Sequence, residues 1–387
     1  MSWKVRTKET MLQEFVTRAL SGKEHKAALC REYGISRPTG DKWIKRYLEG
    51  ESLEDLSRRP HTNSKQISGE VTEKILALRR EYPTLGSRKI AEILKSEGVQ
   101  APCAKSIDNI LHRNGLITPE ASAAAKPPER FEKAQPNDLW QMDFKGHFQM
   151  LNHTRCHPLN ILDDRSRFNI RTVGCDREMF HNVQPVLYSA FKEYGLPDSI
   201  LCDNGNPWGV VQKTGYTALE VWLMDLDILT LHIRPYRPQT QGKVERFNQT
   251  FTRECLSRNE WPDMASAQRI FDEYRTFYNT KRPHEALGMQ TPAQVYHESD
   301  RKFPSVIEPW EYPQTYIRRQ VRGNGAFSLD GEQIFLSYGF VGKEIGIRPS
   351  HLPGLMTIEY RNFHVARFDP DTKKVQAGRI YRIRSEP

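Results

Sequence analysis

Residues 138–150 read Asp138-Leu139-Trp140-Gln141-Met142-Asp143-Phe144-Lys145-Gly146-His147-Phe148-Gln149-Met150. Around Leu139 to Phe144 apolar and polar residues alternate with a period of two, the pattern of a strand that turns one face to a core. An acid, Asp143, sits mid-strand between Met142 and Phe144, where an ionised carboxylate is unfavourable unless a cation neutralises it. Working toward the C-terminus, residues 156–162 and 168–173 read as two more strands joined by short polar turns. Residues 179–194 read as a helix, 199–202 as a short strand, 217–226 as a helix and 229–233 as a strand. Residues 243–255 and 264–279 complete the set as helices. Three antiparallel strands followed by alternating helix and strand make an α/β layout with a mixed sheet.

Two further acids sit where a side chain is aimed. Asp203 follows a strand end and is succeeded by Asn204-Gly205, and Glu245 falls in the first turn of a helix entered through Pro238-Gln239-Thr240-Gln241-Gly242. Carboxylates from a central strand, an adjacent strand end and a facing helix can converge, and hard oxygen ligands suit Mg²⁺ or Mn²⁺. Each acid also has a plainer reading. Asp203 can be a turn former, Glu245 a favourable charge at a helix N-terminus, and Asp143 an edge-strand residue facing water. The plain readings are easy to hold singly and hard to hold together.

Upstream, residues 10–20, 23–33 and a stretch through Trp43 to Leu48 read as three helices, with Gly34-Ile35-Ser36 as a tight turn and Ser36 as a cap. Helix, Gly-containing turn, helix is the helix-turn-helix pattern. Its third helix is expected to show Arg37, Thr39, Lys42, Lys45 and Arg46 outward, and Trp43, Ile44 and Tyr47 mostly inward. The pattern recurs: a helix over 71–82, one over 87–96 capped by Ser87, and one over 105–113 closed by Asn114-Gly115. The basic segment Ser57-Arg58-Arg59-Pro60 joins the two units. Candidate DNA contacts are therefore Arg37, Thr39, Lys42, Lys45, Arg46, Arg58, Arg59, Lys105, Asn109 and Arg113.

Residues 118–136 are rich in Ala and Pro and read as a linker, as do residues 301–313. Beyond the second, Asp330-Gly331 and Arg361-Asn362 separate alternating runs that suggest a small β-barrel. The expected division is 1–56 and 57–117 as two helix-turn-helix domains, 137–300 as a catalytic core and 314–387 as the barrel. The 387 residues allow for two to four domains at roughly 100–200 residues each. Charge follows this division, with net +7 over residues 1–135, −3 over 136–300 and +5 over 301–387. Basic ends around an acidic centre suggest ends that bind nucleic acid and central carboxylates with another task. No apolar run reaches the length of a membrane span, the first residues lack a secretory pattern, and the six scattered cysteines argue for reduced thiols, so the expected location is the cytoplasm or nucleoid.

With these residues in view, the sequence resembles the integrase-core (DDE) transposases of bacterial insertion sequences, relatives of retroviral integrase. The resemblance rests on Trp140-Gln141-Met142-Asp143-Phe144, on Leu201-Cys202-Asp203-Asn204-Gly205, on residues 234–248 (RPYRPQTQGKVERFN) and on residues 278–287 (YNTKRPHEAL). It implies a multidomain α+β chain with tandem N-terminal helix-turn-helix units, a central RNase H-like α/β mixed-sheet core and a C-terminal small β-barrel. It makes Asp143, Asp203 and Glu245 the catalytic, metal-binding triad, with Mg²⁺ or Mn²⁺ as cofactor, two ions per site. It implies binding of element ends, metal-dependent cleavage and strand transfer, double-stranded DNA as partner, and a homo-oligomer assembled on paired ends. The rival reading is a domesticated DNA-binding protein with an inactive core, and a third is a metal nuclease that cuts without joining.

Two departures from the family pattern stand out. The position seven residues after the glutamate, usually basic, is Thr252 with Arg253 beside it, which leaves Lys243, Arg246 and Arg253 as candidates for that DNA contact. The interval from Asp203 to Glu245 is long, and residues 206–217 are expected to form a loop near the site mouth that holds DNA. Asp163-Asp164 are expected to shape a turn, and His153, Cys156 and His157 to belong to a hairpin and not to a zinc site. Arg282, Pro283 and His284 are expected to be structural or to touch DNA, and Arg318, Arg319 and Arg322 to grip phosphates or to form a solvated edge.

Overall fold

In the computed structural model, residues 8–54, 67–117, 132–205, 207–208, 215–232 and 241–383 are described. The chain divides into two compact units, Met1–Gln66 and Ile67–Pro387. Among the described residues no helix is long and apolar enough to cross a membrane.

The first unit holds helices α1 (Lys8–Leu20), α2 (Lys26–Glu32) and α3 (Arg37–Leu48). Ser36 caps α3 as expected, its Oγ accepting from the Thr39 N–H at 3.3 Å. Leu12, Phe15, Val16, Leu29, Cys30 and Trp43 form the core. Gly40 lets α3 approach closely, since a Cβ there would lie 2.8 Å from the Cys30 sulfur.

The second unit opens with α4 (Gly69–Glu81), α5 (Ser87–Ser96) and α6 (Ala104–Arg113). Ser87 is the first helical residue and not the cap; Gly86 holds the cap position and has no side chain with which to bond. The three helices do not close a core by themselves. Ile75, Ile90, Ile107 and Leu111 join one buried cluster with Val244, Phe247, Phe251, Phe271 and Tyr278 of the central domain. Tyr82 stacks on Phe277 with ring centroids 3.5 Å apart. At the same seam Arg282 donates to Glu254 at 3.1 Å and to the Thr84 hydroxyl at 3.1 Å, while the Tyr274 hydroxyl donates to Glu254 at 3.0 Å.

The central sheet contains β1 (Trp140–Phe144), β2 (Phe148–Gln149), β3 (Arg155–Asp163), β4 (Asn169–Cys175), β5 (Ser199–Cys202) and β6 (Leu229–His232). Its order is β2-β3-β1-β5-β6, with β4 on the far side of β3. β1 runs antiparallel to β3 and parallel to β5, and β5 runs parallel to β6. This is the expected mixed sheet. Period-two alternation along β1 sorts its side chains: Trp140, Met142 and Phe144 enter the core beneath α7 (Phe180–Tyr194) and α8 (Ala218–Asp225). Gln141 and Asp143 face α9 (Gly242–Glu254), which with α10 (Met264–Thr280) covers the other side. Asn279, at the end of α10, accepts from the Asn169 N–H at 2.8 Å and donates to its carbonyl at 3.0 Å, fastening the helix to β4.

The tail is antiparallel: β7 (Ile317–Gln320), β8 (Ala326–Leu329), β9 (Glu332–Phe335), β10 (Glu344–Pro349), β11 (Met356–Tyr360), β12 (Phe363–Asp369) and β13 (Lys374–Arg382). The expected barrel is instead an open five-stranded sheet, β13-β12-β11-β10-β7, beside a separate β8-β9 hairpin. Among the described residues no ladder joins the hairpin to either sheet edge, while its Phe327, Leu329 and Ile334 share a buried cluster with that sheet. Asp330-Gly331, both at positive φ, makes the hairpin turn. The sheet packs on α8, where buried Asp225 takes the Lys343 ammonium at 2.6 Å and the Arg361 guanidinium at 3.1 Å.

Candidate active site

Asp143 is not on an edge: β1 has β3 on one side and β5 on the other. Its carboxylate accepts from the Asn248 amide at 2.8 Å, and the Asn160 amide donates to the Asn248 carbonyl oxygen at 2.7 Å, which fixes the amide orientation. Burial, then the charges of Asp203, Glu245 and Glu178, push the Asp143 carboxyl up to about 7, against the Asn248 bond, which lowers it.

Asp203 comes one residue after β5, and its Oδ1 accepts from the Gly205 N–H at 2.9 Å, so it does form the turn that its sequence suggests. Its charge also reaches Asp143. Glu245 lies exposed in the first turn of α9, and that turn is bound to β1 by two glutamine amides. Gln241 donates to the Met142 carbonyl at 3.0 Å, and Gln141 accepts from the Val244 N–H at 3.1 Å while donating to Asp164 at 2.7 Å. Asp203, after β5, and Glu245, on α9, thus both act on Asp143 of β1 through their charge. Among the described residues no group of three or more His, Cys, Asp or Glu side chains is placed to hold a metal ion.

Several expected roles change. Arg46 is buried: its guanidinium donates to Glu51 at 3.2 Å and to the carbonyls of Ser52 and Glu54, closing the chain after α3, so it does not face DNA. Tyr47, expected inward, is exposed. Lys243 is committed to Asp164, at 2.5 Å, and burial lowers its pKa against that pull. Asp163 and Asp164 do more than shape a turn. Asp163 accepts from Ser166 and from the Asn137 N–H, and Asp164 also accepts from the Lys133 N–H, drawing the incoming chain, β1 and α9 together. Arg282 is a buried structural cation. Arg319 donates to the Ser328 carbonyl, whereas Arg318 and Arg322 are exposed.

Other expected contacts stand open to solvent. Arg37, Lys42 and Lys45 on α3, Lys105, Asn109 and Arg113 on α6, and Arg246 and Arg253 on α9 are exposed, while Thr39 is half-buried beside the Ser36 hydroxyl. At about 100° per residue, Arg246 and Arg253 share the exposed side of α9 with Glu245. Arg58, Arg59 and most of the 206–217 loop lie outside the described residues. Cys156 is buried in the core, its thiol pushed up to about 12 by burial, and His157 pairs with Glu178 at 2.9 Å. The residues that sequence reasoning missed are Asn248, Gln141, Gln241, His232 and Glu220. Only Asn248 carried a signal, its three-residue spacing from Glu245 on one helix.

Two models described as integrase core domain match residues 133–238 and 226–292, and together they span all three acids. A homeodomain-like model matches residues 39–111 and a helix-turn-helix model residues 13–61. A putative transposase of insertion sequence element IS5376 from Geobacillus stearothermophilus is 22% identical over 380 residues, 94% of this chain and 88% of that protein. The chain carries an integrase core domain and is similar along its length to transposases of insertion sequences. Transposase InsD of insertion element IS2D from Escherichia coli K12 is 26% identical to this integrase-core chain over 56% of its length and 75% of InsD. An uncharacterized 39.2 kDa protein of insertion element IS476 from Xanthomonas euvesicatoria is 27% identical over 58% of this chain, and the match spans 64% of that relative. One chain of a simian T-cell lymphotropic virus intasome structure aligns with 81% of this integrase-core chain, and with all of that chain, at 15% identity and a TM-score of 0.38.

Proposed function

We propose that this protein is a DDE-type DNA strand transferase that binds the ends of an insertion sequence, cuts there, and joins the freed end to target DNA. The observation that carries this reading is the buried Asp143 carboxylate under the charge of Asp203 and Glu245, all three within the segment that matches the integrase core. A carboxyl raised to about 7 by burial and neighbouring acids is a poor structural group and a good cation ligand, because a divalent ion relieves the repulsion. The donor set is all oxygen and fits Mg²⁺ or Mn²⁺, with Asp143, Asp203 and Glu245 as ligands. Two bound ions would supply Lewis-acid stabilisation to the attacking and leaving oxygens of an in-line phosphodiester displacement.

The chain's own groups hold this arrangement. Asn248 holds one oxygen of Asp143, and Gln141 with Gln241 sets the first turn of α9 and hence Glu245. Arg246 and Arg253 flank Glu245 as phosphate contacts. Arg37, Lys42 and Lys45 on α3 and Lys105, Asn109 and Arg113 on α6 are the surfaces offered to duplex DNA. Pairing two element ends calls for a homo-oligomer, working in the nucleoid.

The test is strand transfer by purified protein with Mg²⁺ on duplexes taken from the DNA that flanks its own gene, beside Asp203→Asn. Joined product from wild type alone is expected. Cutting without joining would mean a metal nuclease, and binding without cutting, with Mn²⁺ also tried, would mean a DNA-binding protein with an inactive core.

A further inference from the structure

β5 and β6 pair up to Cys202 and His232, and Asp203 is the next residue of the first strand. There a side chain takes up the holding. The His232 ring places Nδ1 2.8 Å from the Asp203 carbonyl oxygen and Nε2 2.9 Å from Glu220 Oε1. A carbonyl oxygen and a carboxylate only accept, so both ring nitrogens carry protons and the ring is an imidazolium bridging the two.

Glu220 is 4% exposed, and a carboxylate that deep needs a cation as well as hydrogen bonds. His232 supplies the cation, in the one ion pair that Glu220 makes among the described residues. The hydrogen bonds come from Thr217, whose N–H donates to Oε2 at 2.7 Å and whose hydroxyl donates at 3.0 Å in a capping box that starts α8. Next in the chain, the Tyr216 N–H donates to the Ser337 hydroxyl at 2.7 Å, and that hydroxyl lies 3.0 Å from the Tyr216 carbonyl, to which it donates. The start of α8, and with it Glu220, is thereby tied to the connection between β9 and β10, and the imidazolium has a fixed seat.

We propose that His232 is a positioning residue for Asp203: seated on Glu220, its Nδ1–H holds the Asp203 carbonyl and so sets the direction of the Asp203 carboxylate toward a divalent cation. This rests on the reading of Asp143, Asp203 and Glu245 as a metal site. Asparagine at 232 can put an amide donor near the Nδ1 position and keep the Asp203 arm. Glutamine puts its amide near the Nε2 position and keeps only the Glu220 arm. Both remove the cation beside Glu220, so a purely structural role predicts the same loss for both.

The experiment is Mn²⁺ binding to the full-length, DNA-free protein by calorimetry, with thermal midpoints in EDTA, for wild type, Asp203→Asn, His232→Asn and His232→Gln. The variants at 232 are expected to melt alike in EDTA. His232→Asn should bind Mn²⁺ within about threefold of wild type, and His232→Gln at least about tenfold more weakly. Should either variant misfold, the same pair in a Glu220→Gln background, which leaves no buried carboxylate without its cation, gives the same comparison. Equal affinities for the two 232 variants, whether both normal or both weakened, would overturn the proposal. A wild type whose Mn²⁺ binding is matched by Asp203→Asn would remove the metal-site reading itself, on a comparison that does not involve His232.

Discussion

Asp143 shows how one residue can couple folding to pH. The native carboxyl keeps its proton up to about 7, while an unfolded aspartate releases it at about 3.9. Between those values the native state binds more protons than the unfolded state, so stability falls as pH rises through the window. Asp143→Asn should abolish that slope and stabilise the metal-free protein by about 4 kcal/mol at pH 8, with little effect at pH 4. Urea midpoints in EDTA at the two pH values measure it, and a variant that is no more stable than wild type at pH 8 would contradict the cause given. Lys42 and Arg46 give the opposite lesson about reading a basic helix. Lys42→Ala should reduce the salt dependence of DNA binding by about one unit of slope. Arg46→Ala should instead cost about 1–3 kcal/mol in stability, by leaving the carbonyls it holds without a donor. A flattened salt slope for Arg46→Ala with an unchanged melting curve would return Arg46 to the DNA surface.

At the scale of elements, α9 and α10 each have two duties. One face of α9 carries Glu245, and the other buries Val244, Phe247 and Phe251, while its last residue, Glu254, is fully buried against Arg282. Removing one partner of a buried pair leaves an uncompensated charge, so Glu254→Gln or Arg282→Met alone should cost about 3–5 kcal/mol. The double variant should recover much of that loss, and denaturant unfolding of the four proteins gives the coupling. Additive losses would mean that the pair is not a unit. Thr84 sits at the same pair, so amide exchange in α4–α6 should rise in either single variant.

At the scale of the molecule, the two helix-turn-helix units are not equivalent. The first closes its own core from Leu12 to Leu53, whereas the second shares its core with the central domain. A fragment of residues 67–117 should therefore fail to unfold cooperatively, while residues 67–387 should do so, by circular dichroism melting. A sharp transition for the short fragment would show that its helices suffice alone.

Local pattern was enough for the elements and for the three acids. Period-two alternation located β1 and turn residues located Asp203, because these signals depend on neighbours within a few positions. The sequence by itself thus determined a mixed-sheet core with Asp143 mid-strand, Asp203 at a strand end and Glu245 in a first helical turn. Only the tertiary structure decided which charges are spent inside the protein. Arg46, Lys243 and Arg282 read alike as basic residues on helices or in a family motif, yet each closes a buried contact. Their partners, Ser52, Asp164 and Glu254, become neighbours only after the chain has packed. The same holds for Asn248 on Asp143 and for His232 between Glu220 and Asp203: hydrogen bonding is short-ranged in space, and sequence distance carries no trace of it.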